Sequence, residues 1–210
     1  MLETASMALV AFLVTIDPVG LAPIFLALTR DFDQAQRRRI AARGCLLGGG
    51  VLLAFALLGE PALRTLGISI PAFRIAGGIT LLLLAVEMVF EHRTRRRSST
   101  AEAAAAEEHD AAGGVAAFPL AMPLVAGPAA ITTVILQVSS QDGDAAGLLA
   151  VVAALLACLA LTYASLLAAS LLARVLGPTL VLLLSRLLGL LLAALSVQFV
   201  IDGVKEAFGL

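Results

Sequence analysis

The stretch "TIDPVG", Thr15 to Gly20, decides the reading of this chain. On its left runs the apolar segment Ala8-Leu9-Val10-Ala11-Phe12-Leu13-Val14, and on its right Leu21-Ala22-Pro23-Ile24-Phe25-Leu26-Ala27-Leu28. An acid, Asp17, therefore stands near the middle of an apolar run about as long as a bilayer is thick. Proline lacks an amide proton and clashes with the preceding turn, so Pro18 and Pro23 interrupt the helical ladder there. Asp17-Pro18 has the form of a helix start, an acidic cap followed by proline at the first helical position.

The rest of the sequence fits that setting. Of 210 residues 60% are hydrophobic and 14% charged, which places the chain among membrane proteins. The net charge is only −1, so no bulk attraction to nucleic acid is implied, and the distribution of charge matters instead. Cys45 and Cys158 fall inside apolar runs and read as small hydrophobes, with no partners at a metal-ligand spacing. The N-terminus has no basic region and carries Glu3, so the first segment is expected to stay in the mature protein.

Runs of about 20 apolar residues predict six transmembrane helices: Ser6 to Leu28, Ile40 to Leu58, Ile70 to Phe90, Val115 to Val138, Ala145 to Ala173 and Thr179 to Val204. The expected fold is an all-α membrane protein. Residues 1–90 form one three-helix unit and 115–210 another, joined by a solvated tether over 91–114 that holds His92 and His109. Of the fourteen Lys and Arg, eleven flank the connections after helices one, three and five (Arg30, Arg37, Arg38, Arg39, Arg43, Arg93, Arg95, Arg96, Arg97, Arg174, Arg186). Arg64, Arg74 and Lys205 lie on the other face. Cytoplasmic loops collect such residues, so both termini are expected outside and the tether in the cytoplasm of a bacterial inner membrane.

An internal repeat is also visible. "DPVGLAP" (17–23) aligns with "MPLVAGP" (122–128), pairing Pro18 with Pro123 and Pro23 with Pro128 at a shift of about 105. "RTLG" (64–67) matches "RVLG" (174–177), and "RIAG" (74–77) matches "RLLG" (186–189), at shifts of about 110 and 112. A unit of three spans is odd, so its second copy enters from the opposite side, giving two inverted three-helix repeats with broken first and fourth helices. Gly127-Pro128 is then the second helix start. Non-helical backbone at membrane depth must be shielded or line a wet cavity, and half-helix N-termini offer free amides and partial positive charge.

These features give a candidate substrate site: Asp17 for an ammonium or a proton, the amides after Gly127 at Ala129 and Ala130 for a carboxylate, and Gly20 and Thr132 beside them. Thr132 and Thr133 can equally bond back to carbonyls of their own helix. Arg74, Arg186 and Gln198 are candidates for structural or gating roles. The arginines are placed near the starts of helices three and six, where they either snorkel or brace the opposite break. The glycines Gly44, Gly48, Gly49 and Gly50 favour close helix packing. No catalytic motif, cofactor or metal site is expected.

Four segments, "FLVTIDPVGLAPIFLALT" (12–29), "FRIAGGITLLLLAVEM" (73–88), "AFPLAMPLVAGPAAITTVI" (117–135) and "RLLGLLLAALSVQFVIDGV" (186–204), resemble the signature segments of the MarC family of membrane proteins. The resemblance implies six spans and a place among transporters of small neutral amino acids. By position it covers Asp17, Pro18, Gly20 and Pro23, then Pro119, Pro123, Ala126, Gly127 and Pro128. Where relatives often carry Asn two residues before Pro23 this chain has Leu21, and where they carry a second Gly after Pro128 it has Ala129. The expected function is a secondary transporter, importing, exporting or exchanging small neutral amino acids such as glycine or alanine, coupled to protons and working by alternating access around a midplane site. The rival readings are a non-transporting scaffold or partner subunit and, behind it, an intramembrane enzyme.

Overall fold

Helix boundaries follow capping residues. The computed structural model describes residues 1–90, 99, 116–141 and 143–209, and these contain helices and connections but no strand. The tether foreseen over 91–114, with its arginines and both histidines, lies outside the described residues except for Ser99. Helix α1 (Leu2–Ile16) ends at Asp17 and α2 (Pro18–Leu28) begins immediately after it. Helix α3 (Gln34–Thr65) starts with a capping box, in which Gln36 N donates to Asp33 Oδ1 at 2.7 Å and Asp33 N donates to Gln36 Oε1 at 2.9 Å. Ser69 caps α4 (Ile70–Val89) through Ala72 N. A π-helix (Ala116–Val125) precedes α5 (Pro128–Ser139), and Asp144 caps α6 (Ala145–Leu167) through the amides of Ala146 and Gly147. The last helix, α7 (Ala169–Phe208), stops at Gly209, which takes a left-handed conformation at φ 67°.

Five helical segments are long and apolar enough to cross a membrane: Leu2–Leu28, Gln34–Thr65, Ile70–Val89, Ala145–Leu167 and Thr179–Phe208. Where the fourth span was expected, over 115–138, the described residues form two shorter pieces instead, the π-helix and the apolar α5, and neither is among the five. Several boundaries differ from expectation, three of them informatively. Helix α3 continues past Leu58, through Pro61, to Thr65, where the Glu60–Arg64 pair at 2.5 Å lets a polar turn stay helical beyond the apolar run. Helix α6 stops at Leu167 rather than Ala173, and helical hydrogen bonding resumes at Ala169. The break expected before Thr179 is Gly177, with non-helical φ 62° and ψ 169° inside α7, so Arg186 lies well within that helix.

The broken segment Leu2–Leu28 is central: 67% of its apolar window is buried, against 22% for Thr179–Phe208. One buried cluster joins Phe12, Ile16, Leu21 and Phe25 to Leu52 of α3, Leu124 of the π-helix, Val134 of α5 and Leu155 of α6. A second joins Val14 to Leu81, Ala85 and Met88 of α4, Leu136 of α5 and Leu192 of α7. Leu46, Leu57, Leu83 and Leu190 are exposed on the outside, as lipid-facing side chains are.

Lipid tails are as apolar as leucine, so van der Waals contact between close backbones holds such helices together. A Cβ added to Gly78 of α4 would lie 2.8 Å from the Ser196 carbonyl oxygen of α7. One added to Gly203 would lie 3.0 Å from that of Pro71, and one added to Gly189 would lie 3.2 Å from that of Ala85. Higher numbers on α4 meet lower numbers on α7, so the two helices run antiparallel. Gly44 and Gly48 press α3 on Leu120 and Val125 of the π-helix, and Gly49 presses it on Leu159 of α6. Gly50, the fourth glycine expected to pack closely, faces open space.

Candidate functional site

Asp17 closes one helix and opens the next. Its amide donates to Leu13 O at 3.0 Å, its carbonyl accepts from Leu21 N at 3.1 Å, and Oδ1 accepts from Gly20 N at 3.0 Å. Its backbone is left-handed, φ 60° and ψ 68°, a region that aspartate tolerates better than most residues. Pro18 then supplies the first turn of α2 without an amide to satisfy. The residue is 4% exposed, so a carboxylate is held inside the protein at the positive end of a half-helix. Gly20 is part of the same device. A Cβ there would lie 2.7 Å from Asp17 Cγ and 2.9 Å from Oδ1, so in this left-handed turn a side chain at position 20 would push the carboxylate aside. The capping role that the sequence offered for Asp17 is thus present, with Gly20 as its steric counterpart.

The second break is built differently. Proline at 123 has no amide to give the carbonyl four residues earlier, and the segment widens into π-helix, with Ala126 N donating to Ala121 O at 2.9 Å. Gly127 is extended, φ −73° and ψ 165°, and has no side chain with which to cap α5. Pro128 occupies the first position, so Ala129 and Ala130 carry the first amides of α5, and among the described residues no side chain caps them. Gly127 and Ala130 are buried, Ala129 and Thr132 half-buried, and Pro128 and Pro23 exposed. Thr133 donates to Ala129 O at 2.9 Å, the local back-bond, while the Thr132 methyl group lies 2.7 Å from where a Gly77 Cβ would stand.

The flanks of the two breaks share one buried cluster: Ile16, Leu21 and Ala22 from the first, Leu124, Val125, Ala126 and Ala130 from the second. One half-helix is capped by its own acid and the other, among the described residues, has no side-chain cap, so charge and donors are distributed unequally between them.

The remaining candidates lie elsewhere. Arg74 Nη1 pairs with Glu206 Oε2 at 2.6 Å, tying α4 to the end of α7. Gln198 donates to Asp202 Oδ1 at 2.8 Å within α7 and lines an outer groove beside Ser6 and Val10. Arg186 is exposed on α7. Among the described residues no three His, Cys, Asp or Glu gather as a metal site. Sequence reasoning missed the clamp of Arg37, whose Nε and Nη2 hold Thr29 O and Arg30 O at 2.9 and 3.1 Å. It also missed the antiparallel glycine contacts of α4 with α7. For the latter a signal existed in Gly78, Gly189 and Gly203, each followed or preceded by apolar residues at helical spacing.

Apolar helices interrupted at membrane-scale depth, with one buried acid at an interruption, define an integral membrane protein that crosses the bilayer several times. The profile described as MarC family integral membrane protein matches residues 2–208, and the chain belongs to that family. It is 35% identical over 192 residues to a UPF0056 membrane protein of Methanocaldococcus jannaschii, covering 91% of each chain. To one of Pyrococcus abyssi it is 31% identical over 209 residues, 100% of this chain and 98% of the relative. The UPF0056 membrane protein YhcE of Escherichia coli is 30% identical over 195 residues, 92% and 88% of the two chains. No solved structure matches the chain.

Proposed function

We propose that this protein is a secondary transporter of small neutral amino acids such as glycine or alanine, alternating access around a site between the two helix breaks. The observation that carries the proposal is the pair of half-helix starts, Asp17-Pro18 and Gly127-Pro128, whose flanks pack into one buried cluster. In this reading Asp17 holds the substrate ammonium or a coupling proton, and the amides of Ala129 and Ala130, which the Gly127 cap leaves without a side-chain bond, receive its carboxylate. The small buried residues Gly20, Ala22, Ala126 and Gly127 at the breaks favour a substrate without a large side chain.

In this reading six crossings form two inverted three-helix repeats that rock against each other. Two facts support the repeat. Gly67 and Gly177, which end the matched RTLG and RVLG segments, both take positive φ, 72° and 62°. The third helices of the two units, α4 and the latter part of α7, pack antiparallel. The arginine distribution supports a cytoplasmic tether and external termini in a bacterial inner membrane.

The test is counterflow of labelled glycine and alanine into vesicles holding the purified protein. Asparagine caps helices and tolerates left-handed backbone as well as aspartate does, so Asp17→Asn removes charge while keeping the break. Wild type should exchange both amino acids and the variant should lose exchange; equal movement by both proteins would remove Asp17 from the mechanism.

A further inference from the structure

We infer that the cleft where α2 ends, α3 begins and α6 passes into α7 is a binding site for an anionic phospholipid. The cleft has a volume of about 280 Å³ and brings together both halves of the chain. Its polar wall is Gln34, Arg37 and Arg38, which share one side of the first turns of α3 because residues three and four apart are neighbours on a helix. Its apolar wall includes Phe25 and Leu26 of α2 and Leu167 of α6.

Arg37 is fixed by the carbonyls of Thr29 and Arg30, which uses two of its five N–H donors and counters the negative end of α2. Among the described residues Arg38 makes no ion pair. The nearby Asp33 carboxylate is committed to the capping box with Gln36, and the exposed Asp31 makes no ion pair among the described residues. Cationic charge therefore remains in the wall of a cleft whose other side is greasy.

The depth is set by sequence: the buried, apolar part of α3 begins at Ile40, directly after Arg37, Arg38 and Arg39. Such a cleft lies at the level of headgroup phosphates. Free phosphate would gain nothing from the apolar wall, and a zwitterionic lipid would bring its own cation to the arginines. An anionic phospholipid satisfies both walls, with its phosphate on Arg37 and Arg38 and its first methylenes on Phe25, Leu26 and Leu167.

The experiment follows the thermal unfolding midpoint of the full chain in detergent during titration with phosphatidylglycerol, phosphatidylcholine or inorganic phosphate. Phosphatidylglycerol alone should raise the midpoint. Arg38→Gln should weaken its apparent affinity about tenfold, the size of one lost charge-assisted contact. Arg39→Gln, outside the cleft, should leave that affinity unchanged. Equal shifts with phosphatidylcholine, a shift reproduced by phosphate, or equal losses in the two variants would overturn the site. Arg37 is left intact because it holds the end of α2. On the wild-type chain, a photoactivatable phosphatidylglycerol should label peptides covering 25–38 and 166–170, and labelling confined to other segments would overturn it as well.

Discussion

Alanine in place of a helical glycine ordinarily stabilises by about 0.5–1 kcal/mol, so Gly20→Ala is a sign test of how the first break is made. The new methyl carbon would stand 2.7 Å from Asp17 Cγ, well inside contact distance, and the carboxylate must leave the amide of Gly20. The bond given up is a helix cap made by a charged acceptor, worth about 1.5–3 kcal/mol. After the propensity gain, the net loss expected is about 0.5–2.5 kcal/mol. The decisive comparison is the same substitution in an Asp17→Ala background, where nothing remains for the methyl group to displace. There Gly20→Ala should be neutral or stabilising, so the double-mutant cycle should show a coupling close to the bond itself, about 1.5–3 kcal/mol. Unfolding midpoints in detergent, converted through the unfolding enthalpy, give all four corners. Stabilisation by Gly20→Ala in the wild-type background, or an equal loss in both backgrounds, would show that the Asp17 carboxylate does not hold the first break through the Gly20 amide.

Other substitutions test the packing. Gly78→Ala drives a methyl group against the Ser196 carbonyl and Val200 amide of α7, and should lower stability by about 1–3 kcal/mol in the same thermal assay. Gly50→Ala, on an open face of α3, should raise it by up to about 1 kcal/mol. Arg74→Gln and Glu206→Gln should each cost no more than about 1 kcal/mol, because the Glu206 side chain is 44% exposed, and the double variant should cost no more than either single one.

Both helix breaks were legible in the sequence, because Asp-Pro and Gly-Pro inside apolar runs have few other uses. The caps at Asp17 and Gly127 sit where those dipeptides put them. Hydropathy located the spans but not the helix ends: α3 outruns its apolar segment on both sides, since backbone hydrogen bonding continues into polar turns supported by Asp33 and by the Glu60–Arg64 pair. The π-helical form of Ala116–Val125 was hidden because Pro119 and Pro123 signal only that α-helical bonds are lost, not how the chain accommodates the loss. Arg74 could not be placed from its own segment. Its partner, Glu206, is 132 positions away, and nothing local marks the pairing.

If the two breaks together receive one small zwitterion, binding it must stabilise the folded chain. The twenty amino acids are surveyed against wild type and Asp17→Asn by thermal unfolding in detergent at two pH values. Glycine and alanine should stabilise wild type, larger and charged amino acids should not, and the variant should keep its fold but lose the response. A wild type indifferent to every amino acid, or a variant that responds to glycine and alanine as wild type does, would contradict the account.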